Sequence, residues 1–424
     1  MRRKGICAIS LCLMLGLMTA CGDGISVKID VDTKNGSTES DTSGDTEQGV
    51  NDTETEVQSA DETDNQTTDA AVPDFKTITE EQCRVEIETL RANDPVNPSD
   101  REVLVEMAKC ATVAMILDEK GGMFKEMDAG KRNSLRIQAY KEIMWSEGAF
   151  RGAITIEDGD DRFDADKAIP ASEAISFFKD MYGDEDFTAG EHYEQIEDGY
   201  VLFSFGDGDP WELIEHMQFY EDDNYYLLTG PSFYEDNGGS VEYRGYADIL
   251  FAKNSESRYG VTMLYGRYRN EVIKVASVAT SSELPPANGK YYGGFNLIDG
   301  QYETAWVEGV DGVGIGESIT LHLDKEQQVY GIQLFNGYLA DGDLHEKNGK
   351  VTEVRVDFGG GNIVERQTFG FGGADMSGSY LVSNNLNKIE LDEPVVTDTI
   401  TITITDAEPG YKYDDTCISE IKVY

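Results

Sequence analysis

The chain has 424 residues, enough for two ordinary domains and additional segments. Its 81 acidic residues against 35 basic ones give a net charge of −46, which repels nucleic acids and anionic membrane surfaces. We therefore exclude nucleic acid as a partner. Aromatic residues make up 10% of the chain and include 22 tyrosines, which suits packed cores and also surfaces that contact sugars or proteins.

Residues 1–21 have the features of a targeting signal. A basic start, RRK, precedes the apolar stretch ICAISLCLMLGL, which is too short for a permanent membrane span. The signal ends in LMTAC, which resembles a bacterial lipobox with Met18 where leucine is more usual. This resemblance implies that Cys21 is lipidated and anchors the protein to the cell membrane, facing the extracellular side. The alternative is an ordinary secretory signal with an incidental cysteine.

Residues 22–74 predict a disordered linker. The segment contains no aromatic residue and only two lysines among many Thr, Ser, Asp and Glu residues. Such a composition cannot bury enough apolar area to offset its ordering entropy, and repulsion between the acids extends it. We expect an acidic tether that holds the folded part away from the membrane.

Residues 75–277 predict an α+β domain of unknown role. Four helical segments come first; the first has a capping box, Thr79 with Gln82, and the last stops at Gly183. From Gly199 onward, apolar and polar residues alternate in short runs separated by Gly, Asn and Asp turns. This alternation predicts an antiparallel meander. Helices followed by strands are typical of an α+β fold.

Three cysteines remain if Cys21 is lipidated: Cys83, Cys110 and Cys417. Cys83 and Cys110 both lie in predicted helices, and the sequence leaves open whether they form a disulfide or remain buried free thiols. Cys417 precedes a strand and is expected to be a small buried residue. The chain has no CxxC pair or Cys/His cluster, so a structural zinc site is not predicted.

The sequence contains no motif that identifies an enzyme. Its four histidines are not spaced as metal pairs, and no serine or cysteine stands in a nucleophile motif such as GxSxG. The acidic run at 157–168 fails as an EF-hand loop, because Arg162 occupies a ligand position. We therefore predict a protein without catalytic residues.

Residues 278–424 predict an all-β sandwich or jelly roll, because short strands follow one another between Gly, Asp and Asn turns without a convincing helix. Three stretches stand in order up to the last residue: NLIDGQYETAWVEGVDGVGIGESITL, IQLFNGY and YKYDDTCISEIKVY. Together they resemble the glycan-binding domain of the streptococcal NAD-glycohydrolase type, a branch of the discoidin or galactose-binding-like group. The chain departs from that family at KNGK (347–350), where relatives more often have Asn-Asn-Arg, and in the Gly-rich stretch 369–380.

The Asp-Gly turn at Asp299 offers oxygen ligands of the kind that calcium prefers: a carboxylate, the hydroxyl of Thr304 and backbone carbonyls. In discoidin-like modules, such a calcium ion ties this turn to a glutamate near the C-terminus, and the resemblance places that glutamate at Glu420. The resemblance therefore implies a structural calcium ion at Asp299, Thr304 and Glu420. Apart from this calcium, we predict no cofactor. The alternative is a cation-free turn in which Asp299 and Thr304 bond backbone amides.

Five residues are candidates for glycan binding. Aromatic rings can stack on a sugar, and neighbouring Asn and Asp side chains can bond its hydroxyls. Trp306 is one candidate, although a lone tryptophan between two small apolar residues is more typical of a core. The loops offer better candidates for an exposed platform: Asn336, Tyr338, Tyr411 and Tyr413. For each of these taken singly, the alternative is a turn residue without a ligand.

We therefore expect a surface lipoprotein whose C-terminal domain binds a glycan or cell-surface polysaccharide without catalysis, and which contacts the membrane through its lipid alone. One alternative is that residues 75–277 are an enzyme, for example NAD-glycohydrolase-like, localised by the sandwich, although no motif there matches that catalytic domain. Another alternative is a protein-interaction or envelope-assembly role, since galactose-binding-like sandwiches also bind proteins.

Overall fold

The computed structural model describes residues 75–116, 121–159, 165–183, 194–204, 211–235 and 241–424. The predicted signal, the predicted lipidation site Cys21 and the predicted linker lie outside these residues, as does part of the acidic run at 157–168. Within the described part of the chain, no helix is both long enough and apolar enough to cross a membrane. The described residues belong to one compact unit, Ala70–Tyr424.

The first part of this unit combines helices with antiparallel strands. Its first helix begins at the predicted capping box, where Thr79 Oγ1 accepts the Gln82 amide at 3.3 Å and Gln82 Oε1 accepts the Thr79 amide at 2.9 Å. The fourth helix ends at Gly183, as predicted. The described elements are, in chain order, α1 (Glu80–Arg91), α2 (Arg101–Ile116), β1 (Gly122–Met123), α3 (Ala129–Trp145), β2 (Glu157–Asp158), β3 (Lys167–Pro170), α4 (Ala171–Tyr182), β4 (Glu194–Glu197), β5 (Tyr200–Phe203), β6 (Trp211–Ile214), β7 (Gln218–Glu221), β8 (Tyr225–Glu235), β9 (Val241–Lys253) and β10 (Val261–Arg269).

A six-stranded antiparallel sheet lies between two helical layers. Its order is β1-β10-β9-β8-β6, with β7 paired to β8. Because side chains alternate along a strand, Leu227 and Leu250 pack on α1, whereas Leu228 and Ile249 pack on α2, α3 and α4. A second, smaller sheet has the order β2-β3-β5-β4. The predicted α+β class is confirmed, with helices on both faces of the larger sheet.

Cys83 and Cys110 lie in these two different layers. Cys83 on α1 is buried against one face of the sheet, and Cys110 on α2 is buried against the other. Both are free thiols, and the intervening sheet prevents a disulfide, which needs Cα atoms within about 7 Å. Of the two alternatives that the sequence leaves open, the structure has the free thiols. Burial raises the pKa of the Cys83 thiol to about 12, which keeps it protonated at neutral pH.

The second part of the unit is an all-β sandwich with two short helices. Its named strands pair antiparallel in the order β12-β17-β13-β16-β14-β15, with β11 paired to β13. The first strand begins at Val275, shortly before residue 278. The elements are β11 (Val275–Thr280), β12 (Trp306–Val307), β13 (Ser318–Asn336), α5 (Gly342–Lys347), β14 (Lys350–Asp357), β15 (Ile363–Gln367), α6 (Gly378–Ser383), β16 (Leu386–Glu408) and β17 (Cys417–Val423).

Two long strands connect the layers of the sandwich. β13 has 19 residues and β16 has 23. Their register shifts between His322 and Gln327, so the first half of β13 pairs with β11 and its second half pairs with β17. Apolar side chains from both halves meet around the fully buried ring of Trp306. The predicted jelly-roll sandwich is confirmed.

The helices α5 and α6 correct the expectation that this part has no helix. Each has six residues, which is too short to show an amphipathic period in the sequence. Asp341 caps α5, since its carboxylate accepts the Leu344 amide at 2.7 Å. The cap therefore fixes the residue at which α5 begins. The helix lies at the end of the sandwich where β13 ends and β17 begins.

The two parts of the unit share a buried interface. The rings of Tyr243, Tyr330 and the C-terminal Tyr424 pack together there with Phe233. Gln333 on β13 is fully buried, donates from Nε2 to a β9 carbonyl at 2.7 Å and accepts the Tyr243 amide at 2.8 Å. These bonds satisfy a buried amide side chain on both sides. The interface therefore ties the sandwich directly to the larger sheet.

Candidate functional site

The loop at 409–413 is fixed against the C-terminal end of α5. The Tyr411 amide donates to Glu346 O at 3.1 Å, and the Tyr413 amide donates to Lys347 O at 2.9 Å. These bonds satisfy helix carbonyls that have no partner inside the helix. As whole residues, Tyr411 and Tyr413 remain 66% and 40% exposed. The structure therefore holds two aromatic rings at the surface on a fixed backbone.

Polar groups lie beside these two rings. The Tyr411 hydroxyl donates to Asp343 Oδ1 at 3.1 Å, and Lys347 pairs with the other oxygen of the same carboxylate. The hydrogen bond from Lys347 lowers the pKa of Asp343, so this carboxylate is ionised at neutral pH. Lys412 Nζ lies 4.7 Å from the centre of the Tyr413 ring. Donors and acceptors are thus available next to two flat apolar faces.

Tyr338 lies at the same end of the sandwich, but its ring is buried. It packs against Ala305, Val307 and Cys417, and 6% of the residue is exposed. Its hydroxyl accepts Lys290 Nζ at 3.0 Å, and this hydrogen bond raises the pKa of the lysine. The prediction that Tyr338 forms an exposed platform does not hold, because the turn after β13 directs its ring into the core. Cys417 is a buried residue.

Asn336 is also buried and has a structural role. Its amide donates to Val351 O at 2.8 Å and to Phe369 O at 3.0 Å, while its carbonyl oxygen accepts the Val351 amide at 3.0 Å. With these bonds made, the side chain is not available to a sugar, so the prediction of Asn336 as a glycan contact does not hold. Trp306 is fully buried, and its Nε1 donates to Ser282 O at 3.0 Å. Burial on all sides leaves its ring no face for stacking.

Two further exposed rings were not predicted from the sequence, and they lie on a stretch that packs against α5. Phe369 and Phe371 are more than half exposed, and their amides donate to Asn387 Oδ1 at 2.8 Å and Asn385 Oδ1 at 2.7 Å. Gly372 follows so close to α5 that an added Cβ would lie 2.4 Å from His345 Cδ2. The signal in the sequence was FGF inside the Gly-rich stretch 369–380. We call the surface of Tyr411, Tyr413, Phe369, Phe371 and α5 the loop end.

His345 of α5 lies buried beneath the loop end. Its ring is enclosed between Gly337 and Gly372, and neither ring nitrogen has a hydrogen-bond partner. Gly337 has a φ of 86°, and a Cβ there would lie 2.4 Å from the imidazole, so both conformation and space require glycine. Burial, with a smaller effect of Lys350, lowers the pKa of His345 to about 4. The ring is therefore neutral at pH 7.

The residues proposed for calcium lie together at the Asp-Gly turn. Asp299 Oδ1 accepts the Gln301 amide at 2.9 Å, and Asp299 Oδ2 accepts the Thr304 hydroxyl at 2.9 Å. Glu420 on β17 reaches the same turn, where its Oε2 accepts the Gly300 amide at 3.1 Å. Burial and the neighbouring Asp299 raise the pKa of Glu420 to about 8. Two carboxylates, a hydroxyl and turn carbonyls form a donor set that fits a hard cation.

A second group of metal-type ligands lies at the interface between the two parts. Glu215, His216 and Glu390 place ligand atoms within 4.8 Å of one another. The ammonium of Lys388 already pairs with Glu215 and lies 2.7 Å from Glu390. The chain itself thus supplies the cation at this point, and we interpret the group as an ion-pair cluster that joins β16 to the end of β6.

Comparison with known proteins confirms the resemblance that the three C-terminal motifs indicate. Residues 267–424 match the family model described as the NAD glycohydrolase translocation F5/8 type C domain. No curated protein sequence matches the chain. Among solved structures, a module named CpGH89CBM32-5 from Clostridium perfringens, in complex with GalNAc-β-1,3-galactose, is 17% identical, with 35% of this chain and 94% of that chain covered and a TM-score of 0.25.

Two further solved structures are similar over the same share of the chain. The family 32 carbohydrate-binding module of C. perfringens NanJ, in complex with galactose, is 20% identical, covers 35% of this chain and 91% of that chain, and has a TM-score of 0.23. The CBM32 of AlyQ, in complex with 4,5-unsaturated mannuronic acid, is 18% identical, covers 36% of this chain and 98% of that chain, and has a TM-score of 0.24.

Proposed function

We propose that this protein is a non-catalytic carbohydrate-binding protein and that its sandwich binds a glycan at the loop end. The observation that carries the proposal is the pair of exposed rings, Tyr411 and Tyr413, on a loop that α5 fixes through backbone hydrogen bonds. The match of residues 267–424 to the F5/8 type C family supports the same conclusion.

The physical argument is that the loop end offers both kinds of contact that a sugar needs. A phenol ring stacks on the apolar face of a pyranose, and Asp343 and Lys347 can accept from and donate to its hydroxyls. Because the loop is already bonded to α5, little conformational entropy is lost when a glycan binds. Phe369 and Phe371 are two further exposed rings of the loop end that a glycan can contact.

We further propose that the protein acts at the cell surface as a lipoprotein. The LMTAC sequence supports lipidation at Cys21, and the acidic composition of residues 22–74 supports a tether between the lipid and the folded unit. In this proposal the α+β part presents the sandwich, to which it is joined by the buried bonds of Gln333. Glycan or cell-surface polysaccharide is the partner.

A glycan array tests the carbohydrate-binding proposal. We expect the chain from Gly22 onward, fluorescently labelled, to bind a limited set of related glycans above background. The same chain carrying Tyr411→Ala and Tyr413→Ala should lose those signals, because both exposed rings are removed. Failure of the unmodified chain to bind any glycan on a broad array would contradict the proposal. Turnover in a direct NAD-cleavage assay would contradict its non-catalytic part.

We also propose that Asp299, Thr304 and Glu420 hold a structural calcium ion, which would cross-link the Asp-Gly turn to β17. Because the pKa of Glu420 is raised to about 8, calcium binding near neutral pH must displace a proton from this carboxyl. We therefore expect the calcium affinity to rise with pH between about 6 and 8, and the melting temperature to rise with calcium. Calorimetry and thermal unfolding measure both.

The variant Glu420→Gln should abolish the calcium response, since the amide is a weaker ligand and carries no charge. Glu308→Gln is the matched control: Glu308 is another buried carboxylate of the sandwich, bonded to the amides of Val310 and Thr416, and its loss should leave the calcium response intact. An unmodified protein that shows neither heat nor a melting shift with calcium would refute the proposal.

A further inference from the structure

Three arginines converge on one buried carboxylate of the larger sheet. Asp248 on β9 has a side chain that is 0% exposed. Arg91 Nη2 from α1, Arg267 Nε and Arg269 Nε from β10 each donate to its Oδ2 at 2.7 Å. Asp248 Oδ1 in turn accepts the Thr229 hydroxyl at 2.8 Å. We call these three arginines with Asp248 the arginine cluster.

The arginine cluster holds more positive charge than Asp248 neutralises. Burial by itself would raise the pKa of Asp248, but the guanidiniums of Arg269, Arg91 and Arg267 hold it below its usual value, so the carboxyl is ionised. Three cations against one anion leave two positive charges, which Glu88 and Glu271 balance, so the group as a whole is neutral. A dianion that takes the place of these two glutamates keeps the same balance of charge.

The outward N–H groups of the arginine cluster end on two exposed glutamates. Arg91 Nη1 lies 3.1 Å from Glu88 Oε2, Arg267 Nη2 donates to Glu88 Oε1 at 2.6 Å, and Arg269 Nη1 pairs with Glu271. The side chains of Glu88 and Glu271 are 58% and 60% exposed. In addition, the buried Nε of Arg91 has no acceptor. The inner bonds to Asp248 are thus fixed, and the outer bonds are made at the surface.

Surface ion pairs of this kind contribute little to stability, because water and salt screen them. A tetrahedral dianion carries several acceptor oxygens on one compact group, and guanidinium groups bond it in a fork geometry that is stronger than single contacts. Asp248 holds the three guanidiniums in place beforehand, which lowers the entropy cost of binding. Glu88 and Glu271 therefore occupy positions that an external oxyanion can take.

We propose that Arg91, Arg267 and Arg269 bind a tetrahedral oxyanion, the phosphate or sulfate group of a ligand, in exchange for Glu88 and Glu271. This site lies on the larger sheet and α1, apart from the loop end. The proposal is therefore independent of glycan binding there.

The test is a titration of the chain from Gly22 onward with sodium phosphate and with sodium sulfate at pH 7 and constant ionic strength, balanced with sodium chloride. We expect phosphate, sulfate or both to raise the melting temperature and to bind saturably in calorimetry, while chloride does neither. The double variant Glu88→Gln, Glu271→Gln leaves the bonds to Asp248 intact and removes the internal competitors. Its affinity for the oxyanion should be about tenfold higher, because two weak internal ion pairs no longer compete with the ligand.

Glu256→Gln provides the matched control. Glu256 is a similarly exposed glutamate in the same part of the protein, paired with Lys76 at 3.0 Å, and its loss should leave the affinity unchanged. Equal effects of phosphate, sulfate and chloride on the unmodified protein would overturn the proposal. Unchanged affinity in the double glutamate variant would also overturn it, because the bound ion would then lie elsewhere.

Discussion

Replacing Asp248 with asparagine is expected to lower the free energy of unfolding by about 3–5 kcal/mol. The substitution keeps the shape of the side chain but leaves three guanidiniums facing a neutral amide at a fully buried position. Removing one partner of a buried ion pair has a cost of this size, since the remaining charges lose their compensation. Urea unfolding followed by circular dichroism measures the change.

The control for this variant is Glu271→Gln, which removes an exposed partner of one of the same arginines. It should change the free energy of unfolding by less than about 1 kcal/mol, because exposed pairs contribute little. Equal losses in the two variants would contradict the assignment of Asp248 as the centre of the arginine cluster.

The second large effect concerns His345 and acid. Its pKa is lowered to about 4 in the folded protein, against an ordinary value of 6.5. Between these two values the unfolded chain binds a proton that the folded chain does not, so stability falls as pH decreases from 6.5 to 4 and this loss is complete below 4. The shift corresponds to roughly 3 kcal/mol, at about 1.4 kcal/mol for each pH unit.

Urea unfolding of the wild type and of His345→Leu at several pH values between 7.5 and 4 isolates this contribution. Carboxylates titrate in both proteins, so the difference between the two curves reports on His345. We expect the wild type to lose roughly 3 kcal/mol more than the variant over this range. His322→Gln, at an exposed strand position, should behave as the wild type does. If stability falls in parallel with decreasing pH for the wild type and for His345→Leu, the buried imidazole is not the source of the acid-dependent loss of stability.

Local sequence signals predicted the elements that form through interactions between residues close together in the chain. The Thr79–Gln82 capping box gave the start of α1, and Gly183 gave the end of α4. Alternation of apolar and polar residues predicted long strands of the larger sheet and of the sandwich, because the pattern follows from which side chains face a core. The three C-terminal stretches predicted the family of the sandwich, which residues 267–424 match.

The exposure of individual loop residues could not be predicted in the same way. Asn336 and Tyr338 stand in a turn sequence, FNGY, that is typical of a surface, yet both are buried because α5 and the stretch 369–372 pack over them. Tyr411 and Tyr413 stand in a similar sequence, GYKY, and remain exposed. The difference arises from contacts between segments that are distant in the chain, which no local pattern records.

Long-range pairing also explains the other differences. Cys83 and Cys110 lie in helices that are neighbours in the sequence. Apart from the short β1, however, the sheet between those helices is built from strands β6 to β10, more than a hundred residues later. Tyr424 and Gln333 likewise pack against β9, which joins the two predicted domains through residues that are distant in the chain. These contacts require both parts of the unit to be folded, so no local sequence pattern predicts them.

The central claim is that the loop end binds glycan, and isothermal titration of the tightest glycan from the array tests it most directly. The account predicts that Tyr411→Ala and Tyr413→Ala each weaken binding about tenfold or more, which is about 1.4 kcal/mol per ring. Tyr380→Ala, which removes a 61% exposed ring on α6 outside the loop end, should leave the affinity unchanged. Unchanged affinity in both loop-end variants, or loss of binding in Tyr380→Ala alone, would contradict the account.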